Sequence, residues 1–226
     1  MKVKSITPIR VTDAELARRQ ARYDELAPEG VEVDLINLTD GPDVPRRLES
    51  ADDIALSDRL VAVEIARTDP GAHDVVMPDC VLDPGVASSA GSAPVPVCGI
   101  LQLASGFLAV LGHRFGAVTR NEPIAEELRA CLRRYSLDRD FDEVAVLDLS
   151  FEDIENDETW NTAIDTVRDR FFARSVRAVV NGCSAVDVRD HDGGAVVIDP
   201  TRLALRMLGL AAATGLAPGS LVVVGR

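Results

Sequence analysis

The constraint that weighs most on this chain is its alternation of short β-branched runs with longer amphipathic stretches. Residues 3–9, 31–38 and the run ending at Cys80 read as strands, separated by helical patterns over residues 12–23 and 51–67. Thr12 or Asp13 can cap the first helix, and Ile54, Leu60, Val61 and Ile65 give the second its apolar face. A strand–helix–strand order of this kind implies parallel strands joined by right-handed crossovers. The grammar then repeats. Residues 95–99, 114–119, 143–149, the run ending at Cys183 and residues 195–199 read as strands. Helical patterns lie between them over residues 100–111, over 122–135 with Asn121 as cap, and in a long stretch ending near Arg174. Pro200 opens a helix over 201–213, and residues 221–224 are expected to add an edge strand.

The predicted fold is therefore α/β: two similar lobes, each a parallel sheet flanked by helices, with an active-site cleft between them. The Ser-, Ala-, Gly- and Pro-rich stretch over 87–96 reads as a lobe crossing. The expected division gives residues 1–96 plus 206–226 to an N-terminal lobe carrying Cys80, and residues 97–205 to a C-terminal lobe carrying Cys183.

Two motifs sit where such a cleft would open. In Asp74-Val-Val-Met-Pro-Asp-Cys80-Val-Leu-Asp83-Pro84-Gly85 a short buried strand runs into a thiol, with Asp83 and Pro84 suited to cap and start a helix. In Arg177-Ala-Val-Val-Asn-Gly182-Cys183-Ser184-Ala-Val-Asp187 a second strand runs into a second thiol, and Ser184 with Asp187 forms a capping-box pattern. Two thiols at strand ends, each facing a helix N-terminus, suggest an acid–base pair. Such a terminus favours an anion by roughly 0.3–1 kcal/mol, less than one pKa unit, so nearby N–H donors are expected to help. Strand alternation puts Asp79 on the face opposite Cys80, with little expected effect on it. Cys131 lies on a helical apolar stripe and reads as packing. Cys98, beside Gly99 at a strand end, reads first as packing and second as a site-lining residue.

Composition excludes several function classes. The formal charge is -13, from 37 acidic against 24 basic residues, which disfavours nucleic acid and anionic membrane as partners. Lys2 and Lys4 are the only lysines, so a Schiff-base or pyridoxal phosphate mechanism has no well-placed amine. The three histidines (His73, His113, His191) are scattered and no C-x-x-C occurs, so neither a metal site nor any other cofactor is expected. The first residues lack a secretory apolar run, no apolar stretch is long enough to span a membrane, and the four cysteines fit reduced thiols; a cytoplasmic location is expected.

Read together, Cys80-Val-Leu-Asp83-Pro84-Gly85, Gly99-Ile100, Arg114-Phe-Gly116, Thr119, Gly182-Cys183 and Val197-Ile-Asp-Pro200 resemble the aspartate/glutamate racemase superfamily. The C-x-x-D-P-G form, the late Gly-Cys and the Gly41-Pro42 loop are most similar to its hydantoin racemase branch. The resemblance spans nearly the whole chain. It implies cofactor-independent proton transfer at a carbon next to a carbonyl or carboxylate. One cysteine takes the proton as thiolate, and the other donates from the opposite face as thiol. Cys80 and Cys183 match the family's two cysteines, and Thr119 matches a residue beside the substrate's oxygens. Val81-Leu82 and Ser184-Ala185 differ from the Cys-Asn-Thr and Cys-Thr of free amino acid racemases, which points away from glutamate and aspartate themselves. Pro8, within Ile6-Thr7-Pro8-Ile9-Arg10, replaces part of a common Asn-Pro-Asn and lies where substrate would be read.

Thr119 and Ser184 can each serve as a cap or as an oxyanion donor. Arg10 and Arg120 can pair with a substrate carboxylate, although a solvent-facing arginine is the simpler reading of each. The expected function is a racemase or epimerase acting on a hydantoin or related amide. Weighed against it are a cis–trans isomerase or decarboxylase of the same superfamily (maleate isomerase-like or arylmalonate decarboxylase-like) and a two-lobed small-molecule-binding protein. The expected partner is a small-molecule substrate, and the sequence leaves room for a homo-oligomer.

Overall fold

Strand burial follows position in the sheets. The edge strand β2 (Glu32–Ile36) buries Val33 and Leu35 and exposes Glu32 and Asp34, whereas β4 (Phe115–Thr119) is buried throughout. A computed structural model describes residues 1–190, 193–216 and 218–219. One parallel sheet has the order β2-β1-β3, with β1 spanning Lys2–Ile6 and β3 spanning Val75–Val76. The other parallel sheet has the order β5-β4-β6-β7, with β5 at Phe141–Val146, β6 at Ala178–Asn181 and β7 at Val196–Ile198. Helices flank both: α1 (Asp13–Leu26), α2 (Ala51–Ala66), α3 (Ile100–Val110), α4 (Glu122–Arg134), α5 (Asp157–Ala173) and α6 (Pro200–Thr214). The α/β fold of two parallel sheets is thus the one the alternation implied. Among the described residues no helix is long and apolar enough to cross a membrane.

Caps close the helices where the side chains allow. Thr12 accepts from Glu15 N, Asn121 from Ile124 N, and Asp199 from Thr201 and Arg202 N, with Pro200 at the start of α6. An apolar cluster joins the two halves, in which Ile9, Leu48, Val81 and Leu82 meet Leu101, Phe115, Leu128 and Val180. Val97 forms a parallel bridge to Val76, and Cys98 and Ile100 pack with Val3, Val75 and Leu205. The segment that the sequence assigns to the start of the second lobe therefore lies on the first sheet. The strand expected over 221–224 and His191 fall outside the described residues.

Two expected helices are absent. After Cys80 the chain turns rather than coils, because Asp83 (φ 50°) and Gly85 (φ 77°) adopt left-handed backbone angles that break a right-handed helix. Asp83 is a cap, but for a different helix: its carboxylate accepts from Leu101 N (3.0 Å) and Gln102 N (2.9 Å) at the start of α3. Capping an 11-residue helix already in place satisfies more donors than nucleating a short new one. After Cys183 there is likewise no helix. The Ser184 hydroxyl donates to Asp79 O (3.0 Å), and the Asp187 carboxylate pairs with Arg22, so neither is free to build a capping box.

The turn after β6 depends on Gly182. A Cβ there would run into Val118 O and meet Thr119 Cγ2 at 2.7 Å. Gly182→Ala is expected to destabilise the fold by about 1–3 kcal/mol, read as a lower thermal midpoint. A midpoint equal to that of the parent protein would show that β4 and β6 can separate freely.

Candidate active site

The carboxyl ends of both sheets converge on one small cavity of about 70 Å³. Pro8 follows β1, Cys80 follows β3, Arg120 follows β4 and Cys183 follows β6, and all four line it. Ile9, Val81, Leu82, Ile124, Phe151, Ile154 and Ala185 supply apolar walls, while Arg19 and Ser184 complete the polar side. A wider groove of about 620 Å³ along α2 and α4 shares Leu48, Cys80 and Leu82 with it. Both cavity thiols are free, Cys80 being buried and Cys183 half-buried.

Each thiol is held by local backbone. Met77 N and Asp79 N continue the β1–β3 ladder beyond β3, bonding Lys4 O (2.9 Å) and Ile6 O (2.8 Å), and deliver Cys80 to the cavity. Leu82 N then donates to Cys80 Sγ at 3.4 Å. On the other side Asn181 organises the turn. Its amide donates to Cys183 O (2.8 Å) and Val186 O (3.2 Å), and its oxygen accepts from Trp160 Nε1 (3.0 Å) and Cys183 N (3.3 Å).

The arginines of α1 tie the two turns together. Arg19 bonds Glu15 (2.7 Å) and Asp79 (2.9 Å), while Arg22 bonds Ser184 O (3.2 Å), Asp199 (2.8 Å) and Asp187. Arg18 reaches Ala185 O at 2.7 Å. The sequence reading missed Arg19 and Arg22. Their signal is their register: with Leu16, Tyr23 and Leu26 they fall on the inward stripe of α1, where an arginine must have buried partners.

Other candidates are placed differently from expectation. Arg120 is buried, not solvent-facing; it donates to Leu48 O and Glu49, both at 3.0 Å, and stacks over Phe151. Arg10 is half-buried and donates to Leu38 O (3.0 Å). Thr119 is fully buried; its hydroxyl reaches Asn121 O at 3.4 Å, it does not line the cavity, and the α4 cap is Asn121. Cys98 and Cys131 are buried in the core away from the cavity walls. Among the described residues no group of three or more His, Cys, Asp or Glu side chains is placed to hold a metal ion.

The sequence profile of the Asp/Glu/hydantoin racemase family matches residues 13–208. The chain belongs to that family. Its fold is similar to that of the allantoin racemase from Pseudomonas fluorescens, with a TM-score of 0.83 at 17% identity over 99% of this chain and 95% of that one. It is similar also to the allantoin racemase from Klebsiella pneumoniae (TM-score 0.76, 21% identity, 99% and 92% coverage). The aspartate racemase of Picrophilus torridus is a more distant likeness (TM-score 0.59, 14% identity, 94% of each chain). No curated protein matches the chain.

In this racemase-family fold the two thiols have unequal surroundings. Burial pushes Cys80 well above the ordinary thiol range, Leu82 N works against it, and the charges of Asp79 and Asp83 push further upward. Asp79 therefore does act on Cys80, contrary to the expectation from strand alternation. Burial also raises Cys183, but Ala185 N and the guanidinium groups of Arg19 and Arg120 pull it back.

Asp83 is pushed up to about 7 by burial, against the pull of the Gln102 and Leu101 N–H groups. An unfolded aspartate titrates near about 3.9. The folded state therefore holds a proton that the unfolded state has lost between these values, and stability falls as pH rises from about 4 to about 7. Asp83→Asn is expected to remove this slope in urea unfolding measured across that range. An unchanged slope would show that Asp83 titrates normally.

Proposed function

We propose that this chain is a cofactor-independent racemase or epimerase that moves a proton at a carbon next to a carbonyl, in a hydantoin-type ring or a related cyclic ureide. The observation that carries the reading is the pair of free thiols, one after each sheet, lining a single cavity. The racemase-family match and the likeness to two allantoin racemases support the reaction and the substrate class.

In this reading one thiolate removes the proton, and the electron pair of the broken C–H bond moves onto the carbonyl oxygen. The opposite thiol returns a proton to the other face of the carbon. Arg120 uses its N–H groups on Leu48 O and Glu49 and keeps others for a developing oxyanion. Pro8 and Phe151 shape the apolar side. Ser184 contributes by fixing the turn, because its own hydroxyl proton is given to Asp79 O.

The thiols can be tested one at a time. Cys80→Ser and Cys183→Ser are each expected to lower racemisation of allantoin or a 5-substituted hydantoin by at least about 10²-fold. Proton NMR in heavy water should show each variant exchanging the hydrogen of one enantiomer only, with opposite preference in the two. One dead variant beside one of full activity would indicate a single-thiol lyase or isomerase. Full racemisation by both would make the thiols structural.

The pH profile follows from the same chemistry. The base must be ionised and burial raises both thiols, so kcat/KM should climb with pH past about 8.5, the ordinary thiol value. A plateau reached below pH about 7 would contradict a thiolate base in this cavity.

A further inference from the structure

The charged groups around the two thiols differ in a way that the two-thiol reaction does not require. Two buried guanidinium groups line the cavity beside the Cys183 turn: Arg120 follows β4, the strand paired with β6, and Arg19 lies on α1 between Arg18 and Arg22, which bond Ala185 O and Ser184 O. On the Cys80 side the charged neighbours are the carboxylates of Asp79 and Asp83, both almost fully buried. Arg19 also reaches the residue before Cys80. Its Nη1 bonds Asp79 at 2.9 Å and its Nε bonds Glu15 at 2.7 Å, so its place in the wall is fixed. Tyr23 Oη donates to the other Asp79 oxygen at 2.9 Å, which holds that carboxylate in turn.

We propose that Arg19, supported by Arg120, is a positioning residue that places the resting thiolate on Cys183 and leaves the resting proton on Cys80. The inference rests on the two-thiol reading above and assigns the starting state within it. A resting enzyme then removes hydrogen from the face that Cys183 addresses. The C–H proton forms the Cys183 S–H bond, the electron pair stays on the substrate as the enolate, and the Cys80 S–H proton goes to the opposite face. The product leaves the thiols exchanged, with Cys80 as thiolate among carboxylates. That form returns to rest when Cys80 takes a proton from solvent and Cys183 gives one up, or when it turns over the other enantiomer. The groups facing Cys183 are Arg19, Arg120, Asp79 and Cys80; those facing Cys80 are Asp79, Asp83 and Cys183. The two lists differ by the two guanidinium groups at Cys183 and by Asp83 at Cys80.

The test needs no substrate, so it fails or succeeds apart from the racemase assignment. Folded protein is alkylated with iodoacetamide across a range of pH, and the rate at each cysteine is read by peptide mass mapping. The midpoint of each pH–rate profile reports ionisation, whereas accessibility changes only its plateau. Cys183 should ionise at least about one pH unit below Cys80. Arg19→Met should raise the Cys183 midpoint by about one unit, and Arg19→Lys, which keeps the charge, should restore it. Should Arg19→Met leave Asp79 unpaired and the chain unfolded, Arg120→Met serves in its place, since the Glu49 partner of Arg120 is half exposed to water. An upward shift of Cys183 in that variant supports the assignment. Cys80 ionising at or below Cys183, or a Cys183 midpoint unmoved in a folded Arg19→Met or Arg120→Met variant, overturns it.

Discussion

The buried ion pair of Arg19 and Asp79 is the contact on which the site depends. Asp79 is the residue before Cys80, and its carbonyl oxygen also receives the Ser184 hydroxyl from the turn after Cys183. One residue thus touches α1 through its carboxylate and the opposite turn through its backbone. A buried pair of this kind gains little net stability, because both charges have left water, but removing either partner strands the other at about 3–5 kcal/mol. Burial opposes the Arg19 charge, and Asp79 and Glu15 more than offset that opposition. The pair therefore acts as a register device: α1 and the two cysteine turns share one arrangement in which every charge is matched.

The second turn is fastened by independent means. Trp160 is fully buried on α5 and holds the Asn181 side chain, whose amide in turn closes the turn around Cys183. Arg22 adds Ser184 O, Asp187 and Asp199 from the other direction. A sheet-ladder bond precedes each cysteine, Asp79 N to Ile6 O and Gly182 N to Val118 O, but the turn after Cys183 is held in addition by side-chain hydrogen bonds. The Cys183 turn is therefore the one whose geometry responds to a single side-chain change, such as loss of the Asn181 amide.

The alternation of strands and helices was legible because burial imposes it residue by residue, as the pattern of β2 shows. The cysteines were legible because each follows a run too apolar to be anything but a buried strand. The two helices expected after them were not. Capping residues announce that a helix start is nearby, but not whose. Asp83 caps α3, a helix 17 residues further on, and that choice is made by the left-handed turn at Asp83 and Gly85. The burial of Arg19 and of Arg120 escaped for a related reason. A lone arginine reads as solvent-facing until its buried partners are known, and Asp79, Leu48 and Glu49 lie far from them in sequence. Local pattern carries elements; it does not carry long-range polar pairing.

That pairing bears on how a thiol can act as base in so closed a site. Taking a thiolate out of water raises its proton affinity, so the ionised fraction at neutral pH falls while each ionised molecule becomes a stronger base. For a carbon acid next to a carbonyl the second effect matters, since proton transfer is efficient only when donor and acceptor affinities approach one another. Two thiols equally raised would hold both protons and offer no base at all. On the proposed assignment, cations on one side alone break the tie, because Arg19 and Arg120 offset part of the burial that raises Cys183 and no cation does so for Cys80. Arg19 is suited to that task by being fixed: its guanidinium is held by Asp79 and Glu15, it cannot lose its proton, and it need not move as charge passes to substrate.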